Sequence, residues 1–499
     1  MRIGIDFGTT RTVVASADGG RYPVAAFEGA EGFHSWVPTM AALDEGRWVY
    51  GERAAELLQR GGPGVRSIKR ALGALAPEQP VPGFDVTALE LATGFLAELR
   101  EALVERSNLE LAAGEPLEAM IAVPANSSSR QRFLTLEAAR RAGFEVVGMI
   151  NEPSAAAVEF AFRSALSPRS PKRYVVVYDL GGGTFDTSAV SLDGRRFDLL
   201  ASEGIARLGG DDVDSILLDA WEAERGEPVG EALRIAALEV CRRAKEGLTA
   251  QSRRLLLDPP AELGLEPCVL DVGAVYDACD ALVEPTLALL DDVFAALPAD
   301  LDPEDARQLG AVYLVGGGVA FPAVQRALRK RHGRKVMLAP ESHAATAVGL
   351  AVAADPDAGV LVREATTRYF GVWREGEGGR ETVFDPILRK DQMGAEGSPL
   401  VIQRAYHPAH SVGHLRFVEC TRLDAEGRPS GDLAPFGELR FPYDPALRER
   451  GDLAAVPVQR RPDLGDQIIV ERYSYTADGR IEVQIENRTH AYRRELVLR

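Results

Sequence analysis

The chain has 499 residues, 46% of them hydrophobic, with 49 glycines and 30 prolines, which reads as a globular protein of two or three domains. A formal charge of −17 at pH 7 argues against nucleic acid or an anionic membrane as the main partner. No apolar run is long enough to span a bilayer, and the four scattered cysteines lack a C-x-x-C pair, so they read as reduced thiols rather than disulfides or a zinc site.

The start, "MRIGIDFGTT", carries no basic-then-apolar leader, and the expected location is the cytoplasm. Arg2 to Asp18, "RIGIDFGTTRTVVASAD", reads as an apolar strand, an Asp, a Gly/Thr turn and a second apolar strand. A helical stripe follows over Leu89 to Arg106, then a buried strand over Glu118–Ala125 closed by Pro124. Arg130 to Ala142 reads as helix, Phe144 to Met149 as strand, and "NEPSAAAVEFAF" as a helix with Pro153 in its first turn.

Arg173 to Asp193, "RYVVVYDLGGGTFDTSAVSLD", then repeats the opening pattern about 170 residues later. Three glycines at the tip of buried strands are costly unless something must approach the backbone closely. Neither copy is a Walker loop or a Rossmann turn, because a strand rather than a helix follows. Two such hairpins suggest two similarly built α/β halves whose turns cradle phosphates from opposite sides, with Asp6, Asp179 and Asp186 holding hydrated Mg²⁺ and orienting a water. Helices are expected over Leu233 to Thr249 and Val275 to Leu297. "LGAVYLVGGGVAFPAVQRALRKRHG" reads as strand, triple glycine and a helix from about Pro322.

Hairpin, hairpin, linking helix and glycine-rich turn, in that order, resemble the actin-like ATPase superfamily. The wording of "IDFGTT", "SIKRALG", "VPA…RQR", "INEPSAAAVEFA", "YDLGGGTFD", "LGGDDVD" and "VYLVGGGVAFPAVQ" resembles the nucleotide-binding domain of the DnaK family, the 70-kDa heat-shock chaperones, over roughly Met1 to Ala354. The resemblance implies an actin-like α/β fold, with two duplicated lobes around a nucleotide cleft, followed by a linker at 355–367 and a small all-β partner-binding domain at 368–499. It implies ATP or ADP with Mg²⁺, the metal held through water by Asp6 and Asp179. Phosphate contacts would come from Thr9, Thr10, Gly181, Gly182, Gly183 and Thr184. Gly8, Arg11, Gly209, Gly210, Lys245, Thr249, Gly316, Gly317 and Gly318 would complete the nucleotide site. Lys69 matches the lysine that reaches the γ-phosphate and Glu152 the residue near the attacking water; Asp179, Thr184 and Asp186 join them as catalytic candidates. Pro124 and Arg132 match a proline–arginine relay that couples nucleotide state to the next domain.

Beyond about Asp355 helical stripes give way to strands at Leu400–Ala405, Val412–Thr421, Gln467–Tyr475 and Arg480–Glu486. The last two flank "TADGR", with Ile481, Val483 and Ile485 on one face, a hairpin signal. His407, His410 and His414 sit on a loop entering a strand with no further ligands beside them, which speaks against a metal site. The sequence departs from the family at several points. Ala320 stands where an arginine usually stacks on adenine, Arg242 where a glutamate touches base or ribose, and Gly148 where a basic residue meets the J-domain partner. "NSSS" (Asn126–Ser129) replaces an aromatic-Asn-Asp run, and Arg363 puts charge into the linker. The chain stops at "YRRELVLR", so the expectation is a β-domain without a helical lid. The reading is an ATP-hydrolysing chaperone-like protein whose nucleotide state gates a polypeptide client or folded partner, with a J-domain or nucleotide-exchange helper as a further partner. A nucleotide-gated scaffold with negligible turnover is the alternative. A small-molecule kinase or an actin-like filament protein would have no use for the linker and β-domain.

Overall fold

The computed structural model describes the chain except residues 30–31, 113, 166–169, 304, 377–380, 391, 395–397, 477–478 and 498–499, with residues 436 and 497 described by backbone alone. The chain divides into two units. One comprises Met1–Ala125 and Leu134–Val362, the other Asn126–Phe133 and Arg363–Arg499. The division thus falls at Val362/Arg363, inside the segment read as a linker.

The first unit builds one sheet plan twice. In one sheet the hairpin of Arg2–Phe7 and Arg11–Ser16 lies beside Glu118–Val123 and Glu145–Asn151, both running parallel to the first hairpin strand. In the other, the hairpin of Tyr174–Leu180 and Phe185–Ser191 lies beside Leu309–Val315 and Val336–Leu338, again parallel, and is extended by Arg196–Ile205. All seven residues of Tyr174–Leu180 and of Leu309–Val315 are buried, which is why they read as continuous apolar runs without alternation. Leu361 adds to the edge of this sheet, its N–H donating to the Arg195 carbonyl at 2.9 Å.

Two helices tie the sheets together by crossing over. Glu152–Ser164 leaves the first sheet yet packs on the second, while Ala345–Ala354 leaves the second and packs on the first. They also pack on each other, at a distance that only small residues permit. A Cβ at Gly349 would lie 1.8 Å from the Ala155 carbonyl oxygen, and one at Gly4 would lie 2.4 Å from that of Ala347. Buried alanines and glycine make up half of Ala345–Ala354 and valine and leucine most of the rest, so the helix is apolar all round, as a helix enclosed on every side must be. The helices read as Leu233 to Thr249 and Val275 to Leu297 are Glu231–Glu246 and Val272–Ala295.

The second unit is built on two antiparallel four-stranded sheets. One orders Glu381–Leu388, Tyr369–Gly376, Val412–Leu423 and Pro429–Pro442; the other orders Leu400–Tyr406, Ile469–Tyr475, Ile481–Asn487 and Tyr492–Val497. Their inner faces share one core, in which Phe370, Phe417 and Phe441 meet Tyr473, Val483 and Ile485. Ile481–Asn487 alternates buried and half-buried residues along its length, as its sequence alternation requires. Residues 477–478 at the tip of the "TADGR" hairpin lie outside the described residues; Thr476 and Arg480 close the turn beneath it. The strands Tyr369–Gly376 and Glu381–Leu388 show no regular alternation of burial along their length, so their sequence carries no period-two signal. Within the core, Glu471 is fully buried and takes hydrogen bonds from Arg374 (3.1 and 3.0 Å), Tyr406 (2.6 Å) and Tyr473 (2.7 Å). A buried carboxylate is tolerated only when satisfied to this degree. His407 reaches the Gln467 carbonyl at 2.8 Å and His414 reaches Glu438 at 2.6 Å, so each is engaged within the sandwich. The four cysteines are free thiols.

Candidate functional site

The two glycine hairpins of the first unit meet tip to tip. Strand alternation buries Ile3, Ile5 and Phe7 and turns Asp6 toward the opposite side, into a cleft. In the second hairpin Asp179 sits directly across from Asp186, and the Gly181 N–H closes the turn onto the Thr184 carbonyl at 3.0 Å. A Cβ on Gly182 would fall 1.9 Å from the Thr10 hydroxyl, so the residue is glycine because the other hairpin occupies that space. The helix Gly210–Arg225 docks on the same turn: the N–H of Gly210 donates to the Gly181 carbonyl at 3.0 Å and that of Asp211 to the Gly182 carbonyl at 2.7 Å. Gly316, at φ 85°, leaves room for the Asp179 carboxylate, which a Cβ there would approach to 2.5 Å.

Between the tips lies a cleft with about 1230 Å³ of empty space, the open solvent at its mouth included. Its walls include Asp6, Gly8, Thr9, Thr10 and Arg11 from the first hairpin and Asp179, Gly181, Gly182 and Thr184 from the second. Lys69, Glu152, Gly210, Lys245 and Gly316 to Gly318 complete the sequence-derived set that lines it. Gly183 and Gly209 stand behind the wall, where they allow Thr9 and Gly182 to pack closely. Asp186 is buried on the strand next to Asp179. Thr249 is exposed past the end of Glu231–Glu246 and bonds Ser252, outside the cleft. Pro124 ends the strand Glu118–Val123 in the first unit; Arg132 is buried within the second, where a Cβ on Gly479 would come within 2.7 Å of it.

Electrostatically the cleft floor carries more negative charge than its own residues offset. Lys69 Nζ donates to Glu152 at 2.5 Å, and both are buried. Burial alone would depress the lysine, but Glu152 and Asp6 outweigh it and hold the ammonium charged. One lysine does not satisfy the carboxylates around it. Desolvation, with Glu152 beside it, pushes Asp6 up to about 7, and desolvation with Glu152, Asp6 and Asp186 nearby pushes Asp179 well up. A site of hard oxygen donors short of positive charge, beside two turns with room at their backbone, fits a hydrated Mg²⁺ with a polyphosphate. Among the described residues no group of three or more His, Cys, Asp or Glu side chains is placed to grip a metal directly.

Sequence reading missed a second layer that the fold assembles from distant segments. Arg66 pairs with Asp211 (3.5 Å), Asp214 (2.6 Å) and Glu239. Arg242 pairs with Glu239 (2.6 Å) and Glu246 (3.2 Å), and Lys245 with Asp214 (2.6 Å). Arg11 reaches Glu246 at 2.7 Å and lies over the Trp36 ring at 4.2 Å. Asp211, Glu246, His343 and Thr346 also line the cleft. Only the density of charge in "LGGDDVD" and "CRRAKEGL" hinted at this network.

Residues 81–368 match the family model for the Hsp70 protein, more than half of the chain. The chain belongs to the Hsp70 family. Its first unit accordingly has the actin-like α/β fold of the Hsp70 ATPase domain. Two relatives are chaperone protein HscA homologs from two strains of Acidithiobacillus ferrooxidans (ATCC 53993 and ATCC 23270). Each is 30% identical over 375 residues, covering 71% of this chain and 58% of the relative. This Hsp70-family chain therefore spans less than two thirds of the length of those relatives. Among its described residues no helix is long and apolar enough to cross a membrane.

Proposed function

We propose that the chain binds ATP with Mg²⁺ in the cleft, hydrolyses it, and uses the nucleotide state to govern binding of a polypeptide or folded protein by the β-rich unit. The observation that carries this reading is the meeting of two glycine turns over buried carboxylates that one lysine leaves under-neutralised. Mg²⁺, held by Asp6 and Asp179 through its waters, would supply the missing positive charge and screen the phosphates.

The protein's own groups then have separate tasks. The backbone N–H of Gly182 and the hydroxyls of Thr9, Thr10 and Thr184 hold the phosphates in place. Lys69, fixed by Glu152, presents a charged ammonium toward the transferring phosphate, and Glu152 orients the attacking water. Catalysis is by position and charge, with no covalent intermediate on the protein. Membership of a family of ATPases and similarity to chaperone proteins support the reading. Coupling rests on chain continuity: Asp6 lies on the strand beside Glu118–Val123, which ends at Pro124, and eight residues later Arg132 is buried in the other unit.

The experiment is limited proteolysis across Asp355–Thr367 with ATP, with ADP and without nucleotide, alongside a single-turnover hydrolysis assay. Turnover with nucleotide-dependent cleavage is expected. Dependence on nucleotide without turnover would favour a gated scaffold; identical cleavage in all three states would overturn the coupling.

A further inference from the structure

The helices Val272–Ala295 and Pro322–His332 of the first unit pack together and leave a trough between them. Residues from Gly273 to Leu287 line it, about 21 Å along the helix axis at 1.5 Å per residue. It holds about 1520 Å³ of empty space, the open solvent above it included. Its floor is Val283 and Leu287 from one helix and Ala323 and Ala327 from the other. The two alanines lie one turn apart, and their methyl groups are too short to fill the space between the helices.

The banks of the trough carry opposite charge. On one, Asp277, Asp280 and Glu284 are exposed at spacings of three and four residues, which sets them along one helix face. On the other, Arg326 and Lys330 are exposed one turn apart. Among the described residues none of these five makes an ion pair. Arg326 instead lies over the Tyr276 ring at 4.8 Å, and the Tyr276 hydroxyl is buried without a hydrogen-bond partner. Arg331 does pair with Asp291, where the trough closes at one end. Along the rest of its length the two banks face each other without meeting.

We propose that this trough docks an amphipathic helix of a partner protein, basic along one flank and acidic along the other. Helices pack with their axes 8–10 Å apart, so a third helix laid between these two rests its apolar face on the alanines. Its flanks then fall against the banks. Lys or Arg meets Asp277, Asp280 and Glu284, and Asp or Glu meets Arg326 and Lys330. A partner charged with one sign only, nucleic acid included, would be repelled by one bank. A polar side chain of the docked helix also supplies the hydrogen bond that Tyr276 lacks.

The probe is a hydrocarbon-stapled peptide of about five helical turns, stapled because short free helices are marginal in water. It carries leucine and alanine on one face, lysine along one flank and glutamate along the other. Exchanging the flanks is no control, because a helix can lie in the trough in either direction. The controls therefore carry lysine on both flanks, or glutamate on both. In fluorescence anisotropy with the full chain, the mixed peptide is expected to bind about tenfold tighter than either control, an advantage that high salt removes. In the double variant Asp280→Lys, Glu284→Lys the acidic bank turns basic, and the preference should move to the glutamate-flanked peptide by a similar factor. Both positions are exposed, and an unchanged thermal melt shows that the variant is folded. Binding elsewhere on the chain would not follow this variant. Binding of no peptide, equal binding of all three, or a preference that the variant leaves unmoved would overturn the proposal. Dimerisation in analytical ultracentrifugation that the same variant abolishes would overturn it in favour of a second copy of this chain.

Discussion

Lys69 illustrates why a single side chain has to be judged by its surroundings. In sequence it is one more helix lysine; in the fold it is buried and bonded to Glu152. Lys69→Ala is expected to cut single-turnover hydrolysis by about a hundredfold, the usual effect of losing one preorganised charge, while ATP affinity stays within about tenfold. An unchanged rate would remove Lys69 from the chemistry. Glu239 gives a pH test. Burial works against its charge, but Arg242 and Arg66 more than compensate and hold it below the ordinary glutamate value. Its stabilising contribution is therefore present above about 4.5 and is lost as pH falls through the lower folded value. The stability gap between wild type and Glu239→Gln should be constant from pH 7.5 to 5.5 and shrink below pH 4.5. A gap that widens on acidification would contradict the assignment. Arg66→Met leaves Asp214 and Glu239 buried with one cation fewer and should cost about 3–5 kcal/mol in urea unfolding.

At the scale of elements, helix Ala345–Ala354 shows how much of the architecture depends on small side chains. Gly349→Val would press into the Ala155 carbonyl, where backbone rather than a flexible side chain must yield. A loss of roughly 1–3 kcal/mol or more is expected, read by denaturant melts. A neutral effect would mean that the two helices separate freely. The hairpins, the helix Ala88–Glu105 and the strand Ile481–Asn487 were legible because local pattern and tertiary role agree: a buried stripe or a clean alternation. The helix Ala88–Glu105 even carries its own start signal, Thr87 and Glu90 in a reciprocal capping box. Edge strands without alternation, such as Glu381–Leu388, were not legible, because their pairing partners rather than their own pattern hold them.

For the whole molecule, nucleotide should stabilise the unit that binds it. Trp36, Trp48 and Trp221 lie in the first unit and Trp373 in the second, so Trp373→Phe leaves fluorescence that reports the first alone. Mg²⁺-ADP at a hundred times its dissociation constant should add about 2.7 kcal/mol to that transition. No shift at saturating nucleotide would contradict binding in the cleft.

The sequence by itself determined the duplicated hairpins, the order of the motifs and the family, because glycine turns and buried strands impose strong local constraints that survive without knowledge of partners. It also marked Asp6, Asp179, Lys69 and Glu152 as a group. Only the tertiary structure decided which charges neutralise which. Arg66 meets Glu239 across 173 residues, and Arg11 meets Glu246 across 235. It also placed Thr249 outside the cleft and left a trough between the helices Val272–Ala295 and Pro322–His332. Such features arise where separate segments converge, and the free energy of an ion pair or a cavity belongs to the convergence rather than to any one segment of chain.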